Sequence, residues 1–112
     1  MQGLLLSLSG LMLGSTLCFG QAGRTELFGT IQDPSGLPVP KAKVEAEDQA
    51  TMARYSVVSD ERGEYHILGL PVGRYVLTVE QPGFHVYRQS GITLRLADAT
   101  RIDVKLEVGQ PS

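Results

Sequence analysis

From Thr25 onward, apolar and polar residues alternate in short runs separated by turn residues. Successive side chains of a strand point to opposite faces, so each alternating run predicts a strand with one apolar face. Glu64-Tyr65-His66-Ile67-Leu68 puts Tyr65 and Ile67 on one face and Glu64 and His66 on the other. Arg74 to Glu80 repeats the pattern, with Tyr75, Leu77 and Val79 together. Between these runs lies Gly69-Leu70-Pro71-Val72-Gly73, where Pro71 presets a turn and Gly73 admits positive φ. The reading is a central hairpin, opened by the turn Asp60-Glu61-Arg62-Gly63 and closed by Pro82-Gly83. Its apolar face requires a second layer to cover it.

The flanking runs extend the pattern. Thr25 to Gln32 reads as the first strand, with Leu27, Gly29 and Ile31 on one face. Asp33-Pro34-Ser35-Gly36 is a strong turn signal. Leu37-Pro38-Val39-Pro40 cannot donate regular ladder bonds at its prolines and is an edge or connector. Ala42, Val44 and Ala46 alternate with Lys43, Glu45 and Glu47 in a second strand. Arg54 to Ser59 is a third, its facing left ambiguous by Val57-Val58. Phe84 to Arg88 and then Ile92, Leu94 and Leu96 predict two short strands. Thr100 to Val108 is the cleanest run, with Ile102, Val104, Leu106 and Val108 inward. Turn signals about every 8–12 residues, without helical periodicity, predict an all-β sandwich.

Residues 1–22 follow a different rule. They carry no charged side chain, are rich in leucine and end in Gly20-Gln21-Ala22, a small-x-small pattern. This predicts a secretory signal peptide cut after Ala22, leaving a domain over residues 23–112. Ser7, Ser9, Gly10, Gly14, Ser15 and Thr16 interrupt the run, whereas a membrane span needs about 20 predominantly apolar residues. No Lys or Arg precedes the apolar stretch, a departure from the usual leader. Cys18, the only cysteine, lies inside it after Leu17, which is not the small residue that lipidation wants. With 112 residues there is room for one domain. A net charge of −2 without a basic stripe argues against nucleic acid as a partner.

Taken together, the turn and strand signals resemble the carboxypeptidase regulatory-like domain. The carrying residues are Gly29-Thr30-Ile31-Gln32-Asp33-Pro34-Ser35-Gly36, Ala42-Lys43-Val44, Ser59-Asp60-Glu61-Arg62-Gly63-Glu64-Tyr65-His66-Ile67, Leu70-Pro71-Val72-Gly73-Arg74-Tyr75 and Gly83-Phe84. Each alone is a turn; their order and spacing over residues 25–108 are specific. The resemblance implies a transthyretin-like (prealbumin-like), seven-stranded Greek-key β-sandwich, also classed as carbohydrate-binding-like. The leader and the ending Lys105-Leu106-Glu107-Val108-Gly109 are similar to the start of Oar-like TonB-dependent outer-membrane receptors. There a plug and barrel follow, so the chain is expected to be a stand-alone module or a receptor's N-terminal piece.

Catalytic chemistry is not evident in the residues. A zinc carboxypeptidase needs a close His and Glu plus a distant His. His66 is followed by Ile67-Leu68-Gly69 and His85 by Val86-Tyr87-Arg88, neither an H-x-x-E. Ser59, Asp60 and His66 compose a triad only on paper, without a nucleophile elbow. Asp33, Asp60, Glu61 and Asp98 are spread over separate turns, not a dense calcium loop. The chain has no asparagine, which removes Lys–Asn isopeptide bonds and N-glycosylation. No tryptophan is present for sugar stacking; Tyr55, Tyr87, Phe28 and Phe84 are the aromatics left for a rim. No residue is singled out as catalytic, cofactor-binding or metal-ligating, and no cofactor is expected. The expectation is a non-enzymatic exported accessory module in the periplasm or at the outer membrane. Its partner is a protein or peptide at an edge strand, or a receptor barrel. A carbohydrate-binding module is the alternative.

Overall fold

A computed structural model describes residues 25–109. The predicted leader at residues 1–22 lies outside the described residues. Eight strands form two sheets. The first sheet holds β1 (Glu26–Gln32), β4 (Glu64–Leu68), β7 (Ala99–Arg101) and β8 (Val104–Lys105). In it β1 is central, antiparallel to β4 and parallel to both β7 and β8. The second sheet has the order β3-β2-β5-β6, from β2 (Lys43–Asp48), β3 (Arg54–Val58), β5 (Gly73–Glu80) and β6 (Tyr87–Leu94). All its neighbours are antiparallel.

The core is the sum of the apolar faces. Leu27 and Ile31 of β1, Tyr65 and Ile67 of β4, and Val104 and Leu106 meet Val44, Ala46, Tyr75, Leu77, Val79, Ile92 and Leu94 from the other layer. Tyr55 and Val57 pack on this cluster while Val58 is exposed, which resolves the facing of β3.

The central hairpin is corrected. β4 and β5 lie in different sheets, and their apolar faces meet across the core rather than side by side. The link between them crosses the sandwich because it is pinned on both sides. Leu70 is buried. Gly69 N–H donates to the Thr25 carbonyl at 2.8 Å, and Thr25 Oγ1 donates to the Leu70 carbonyl. On the far side Tyr75 Oη donates to the Pro71 carbonyl at 2.7 Å.

The resemblance implied seven strands and the structure has eight, and the last expected run is split in two. At Gly29 a Cβ would lie 2.0 Å from the Ile102 carbonyl oxygen, so only glycine lets the chain press in there. That carbonyl accepts a hydrogen bond from Tyr65 Oη at 2.6 Å. The Asp103 carboxylate takes the Thr30 N–H at 2.9 Å, in place of a ladder bond. Val108, expected inward, is exposed: past β8 the chain leaves the first sheet and bridges to Phe84.

The two short strands expected over 84–88 and 92–96 are one strand, β6. The register slips between Tyr75 and Leu77, opposite Ser90 and Gly91, and Gly91 has φ 76°. This bulge resets the alternation, so Tyr87 before it and Ile92 after it both pack toward the core. In the sequence the same residues read as a gap between strands. Phe84 makes only an isolated bridge, and Leu96 is exposed.

Candidate interaction surface

The residues that suggested chemistry are spoken for by the fold. Ser59 is buried; its Oγ donates to the Val39 carbonyl at 2.7 Å and accepts Ala42 N–H at 2.9 Å. It therefore ties the proline-containing connector to β2. Asp60 Oδ1 accepts the N–H groups of Arg62 and Glu64, each at 2.9 Å. Asp33 Oδ1 accepts from Ser35 N–H, Ser35 Oγ and Leu37 N–H. Both are aspartates organising turns. The Ser35 hydroxyl chiefly holds the Asp33 carboxyl below its ordinary range, and the Glu64 N–H does so for Asp60. Asp98 sits in the turn before β7. Among the described residues no three of His, Cys, Asp and Glu gather closely enough to hold a metal ion.

Of the aromatics proposed for a rim, Tyr55, Phe84 and Tyr87 pack on the core. Phe28 stands on the outer face of the first sheet. Its register partners are His66 on β4 and Arg101 on β7. The His66 ring stacks on it at 5.8 Å and 8°, and the Arg101 guanidinium lies 5.9 Å from its centroid. Acids complete the row at both ends. Glu26 Oε2 is 3.8 Å from His66 Nε2, and Asp103 accepts Arg101 Nε at 3.1 Å. Beside this row a depression of about 210 Å³ opens over Thr30, walled by Glu64, His66 and Arg101. Small residues at 29 and 30 between larger neighbours create it. Arg101 and Asp103 were legible only as outward residues; their closure on Phe28 depends on the parallel pairing of β1 with β7.

A second, larger feature lies between the proline-containing connector and the end of β5. Two adjoining cavities, about 620 and 390 Å³, share Lys41, Gln81, Pro82 and Phe84. Gln81 Nε2 donates to the Pro40 carbonyl at 2.7 Å and holds the two walls together. Lys41 has φ 61°, a conformation that lysine adopts at a cost. The sequence offered no sign of it, because the groove joins segments about forty positions apart.

β3 and β4, the edge strands on one side, contact each other. On the other side Phe84 bridges Val108, and His85 N–H donates to the Glu107 carbonyl at 2.8 Å. β6 and β7 are the remaining edge strands, and the edge of β6 is interrupted by its bulge.

Residues 26–107 match the carboxypeptidase regulatory-like domain. The chain belongs to this family. It is also 32% identical over 102 residues to the TonB-dependent transporter Oar of Myxococcus xanthus; the match covers 88% of this chain and 10% of that protein. This chain thus corresponds to a small part of that relative. Among solved structures, catechol 1,2-dioxygenase of Acinetobacter radioresistens superposes with a TM-score of 0.61 at 13% identity, over 83% of this chain and 55% of that one. A protein from Bacteroides uniformis proposed to bind carbohydrate superposes with a TM-score of 0.60 at 16% identity, over 73% and 40% respectively. At these identities the likeness is one of fold. In this regulatory-like domain the turn aspartates and the two buried tyrosines are therefore parts of the scaffold, and the outer-face row and the groove are the surfaces it presents.

Proposed function

We propose that this regulatory-like domain is a non-enzymatic, exported accessory module that acts at the outer membrane or in the periplasm, as the N-terminal domain of a TonB-dependent receptor or in association with one. The observation that carries this reading is the 32% identity to a TonB-dependent transporter across 88% of the chain. The leader over residues 1–22, cut after Ala22, would deliver it across the inner membrane. The turn roles of Asp33 and Asp60 and the structural role of Ser59 support a binding module over a catalyst. Expression of the tagged chain in a Gram-negative host, followed by fractionation and chemical cross-linking, tests this. Export, loss of the leader and cross-links to an outer-membrane receptor are expected. Retention in the cytoplasm with an intact Met1 would overturn it.

A second reading, carbohydrate binding, is favoured by the depression beside Phe28, where Glu64, His66 and Arg101 offer donors and acceptors around an aromatic edge. A glycan array decides it: binding that disappears in Phe28→Ala supports a sugar site on this face, and an empty array removes it.

A further inference from the structure

We propose that the end of the sandwich at Thr25 is a lipid-contacting surface, seated on phospholipid headgroups through the tips of three connections. The proposal rests on the export reading and goes beyond it, from a compartment to a direct membrane contact. The strand registers bring the three connections together. Leu68 of β4 and Ala99 of β7 both stand opposite Glu26, so β4 ends and β7 begins where β1 begins. The 69–72 link and the 95–98 turn therefore reach the second sheet at this end, where Gly73 of β5 faces Leu94 of β6. β2 ends there too, with Asp48 opposite Tyr75, so the 49–53 turn is the third. A depression of about 220 Å³ around Thr25 is walled by Leu68 and Gly69 and by Ala97, Asp98 and Ala99.

Each connection carries or adjoins an exposed apolar side chain: Met52, Leu68, Val72 and Leu96 are 52–68% exposed. Apolar side chains gathered at one place on a surface mark a contact. The connections read Gln49-Ala50-Thr51-Met52-Ala53, Gly69-Leu70-Pro71-Val72 and Arg95-Leu96-Ala97-Asp98, with one base and one acid among them. The opposite end also exposes Leu37, Val58, Val86 and Val108, but its connections carry Asp33, Lys41, Asp60, Glu61 and Arg62. Pressing that end into lipid would desolvate those charges, so only the Thr25 end suits an apolar contact. Asp48 there is buried, with Oδ1 accepting the Ala50 N–H at 2.9 Å. Of the rim charges, Glu26 lies by His66, and Arg54 by Glu45 and Glu47. Arg74 enters no ion pair among the described residues, and its sign suits anionic headgroups. Chain continuity names the occupant. The expected leader ends at Ala22, three positions before Thr25, a reach of at most about 11 Å. With the leader in the bilayer during export, this end stands at the headgroup layer, where exposed apolar tips are stabilised. The same surface holds the released domain on the periplasmic face after the cut.

The experiment sediments the chain, purified from the Gram-negative host, with vesicles of phosphatidylethanolamine and phosphatidylglycerol. It should co-sediment, and high salt should remove only part of the binding because the contact is chiefly apolar. Leu68→Ser combined with Leu96→Ser should weaken binding at least about tenfold, with Tm unchanged because both side chains are exposed. Leu37→Ser combined with Val86→Ser, at the other end, should leave binding unchanged. Once the leader is cut Met52 is the only methionine, so mild peroxide yields a single sulfoxide and should weaken binding without any substitution. Absence of co-sedimentation overturns the proposal, and so does an equal loss in the two double variants. Binding that survives Leu68→Ser with Leu96→Ser also overturns it and assigns the contact to a retained leader. Self-association without vesicles that disappears in that variant would make a second copy the occupant and discard the lipid surface. A chain that is exported and cut but ignores vesicles leaves the export reading intact; an intact Met1 in the cytoplasm defeats that reading separately.

Discussion

Asp33 and Asp60 each anchor a backbone turn through a carboxylate that accepts N–H groups, and the Asp103 carboxylate accepts the Thr30 N–H of β1. At Asp103 partial burial pulls the carboxyl upward, but the Thr30 and Arg101 donors outweigh it and the net direction is down. A carboxyl whose folded value is depressed stabilises the fold above its unfolded value, about 3.9, and loses that contribution as pH falls through the folded value. Tm should therefore hold from pH 7 to pH 5 and drop below about pH 4. Asp60→Asn should flatten the acid limb, which thermal melts across pH would register. The tyrosines work at the other end of the scale. Burial pushes the Tyr75 hydroxyl up to about 12, and burial also raises Tyr65. Their neutral forms stabilise the fold fully below about pH 10, and that stabilisation is lost as pH rises through the folded values. An ultraviolet titration should show two of the four tyrosines ionising only as the protein unfolds. Tyr65→Phe leaves the Ile102 carbonyl without its donor and should cost about 1–3 kcal/mol in denaturant unfolding.

At the scale of elements, connections rather than strands carry the distinctive features. The strand-like character of β1, β2, β4 and β5 was plain from alternation. Pairing was not, because a short link rich in Gly and Pro serves a hairpin or a crossing equally well. Buried Leu70 decides for the crossing. Leu70→Ala should destabilise by about 2–5 kcal/mol, the range for deleting a buried leucine side chain. Hydrogen exchange should then rise first at the Gly69 amide, which donates to the Thr25 carbonyl at the start of the link. The bulge in β6 and the break after β7 were illegible for a related reason. Each adds or diverts residues, so a strict alternation over 84–96 or 100–108 cannot register it. Gly91 and Gly29 were visible as letters, but their tasks, a positive φ and a close backbone approach, belong to the folded chain.

At the scale of the whole molecule, the fold stands on burial and strand pairing alone, since residues 25–109 contain no cysteine. A reducing agent should leave Tm unchanged, and a shift on adding dithiothreitol would contradict this. Composition, turn chemistry and the order of motifs were enough to determine an all-β chain of the carboxypeptidase regulatory-like family. Local pattern could do so because strand faces and turn preferences are properties of neighbouring residues. The tertiary structure alone decided which strands share a sheet and where β6 slips register. It also aligned His66, Phe28 and Arg101 across three strands and brought Lys41 beside Gln81 and Phe84. Those arrangements depend on long-range pairing, and nothing in the local alternation of side chains encodes which distant strand will become the neighbour.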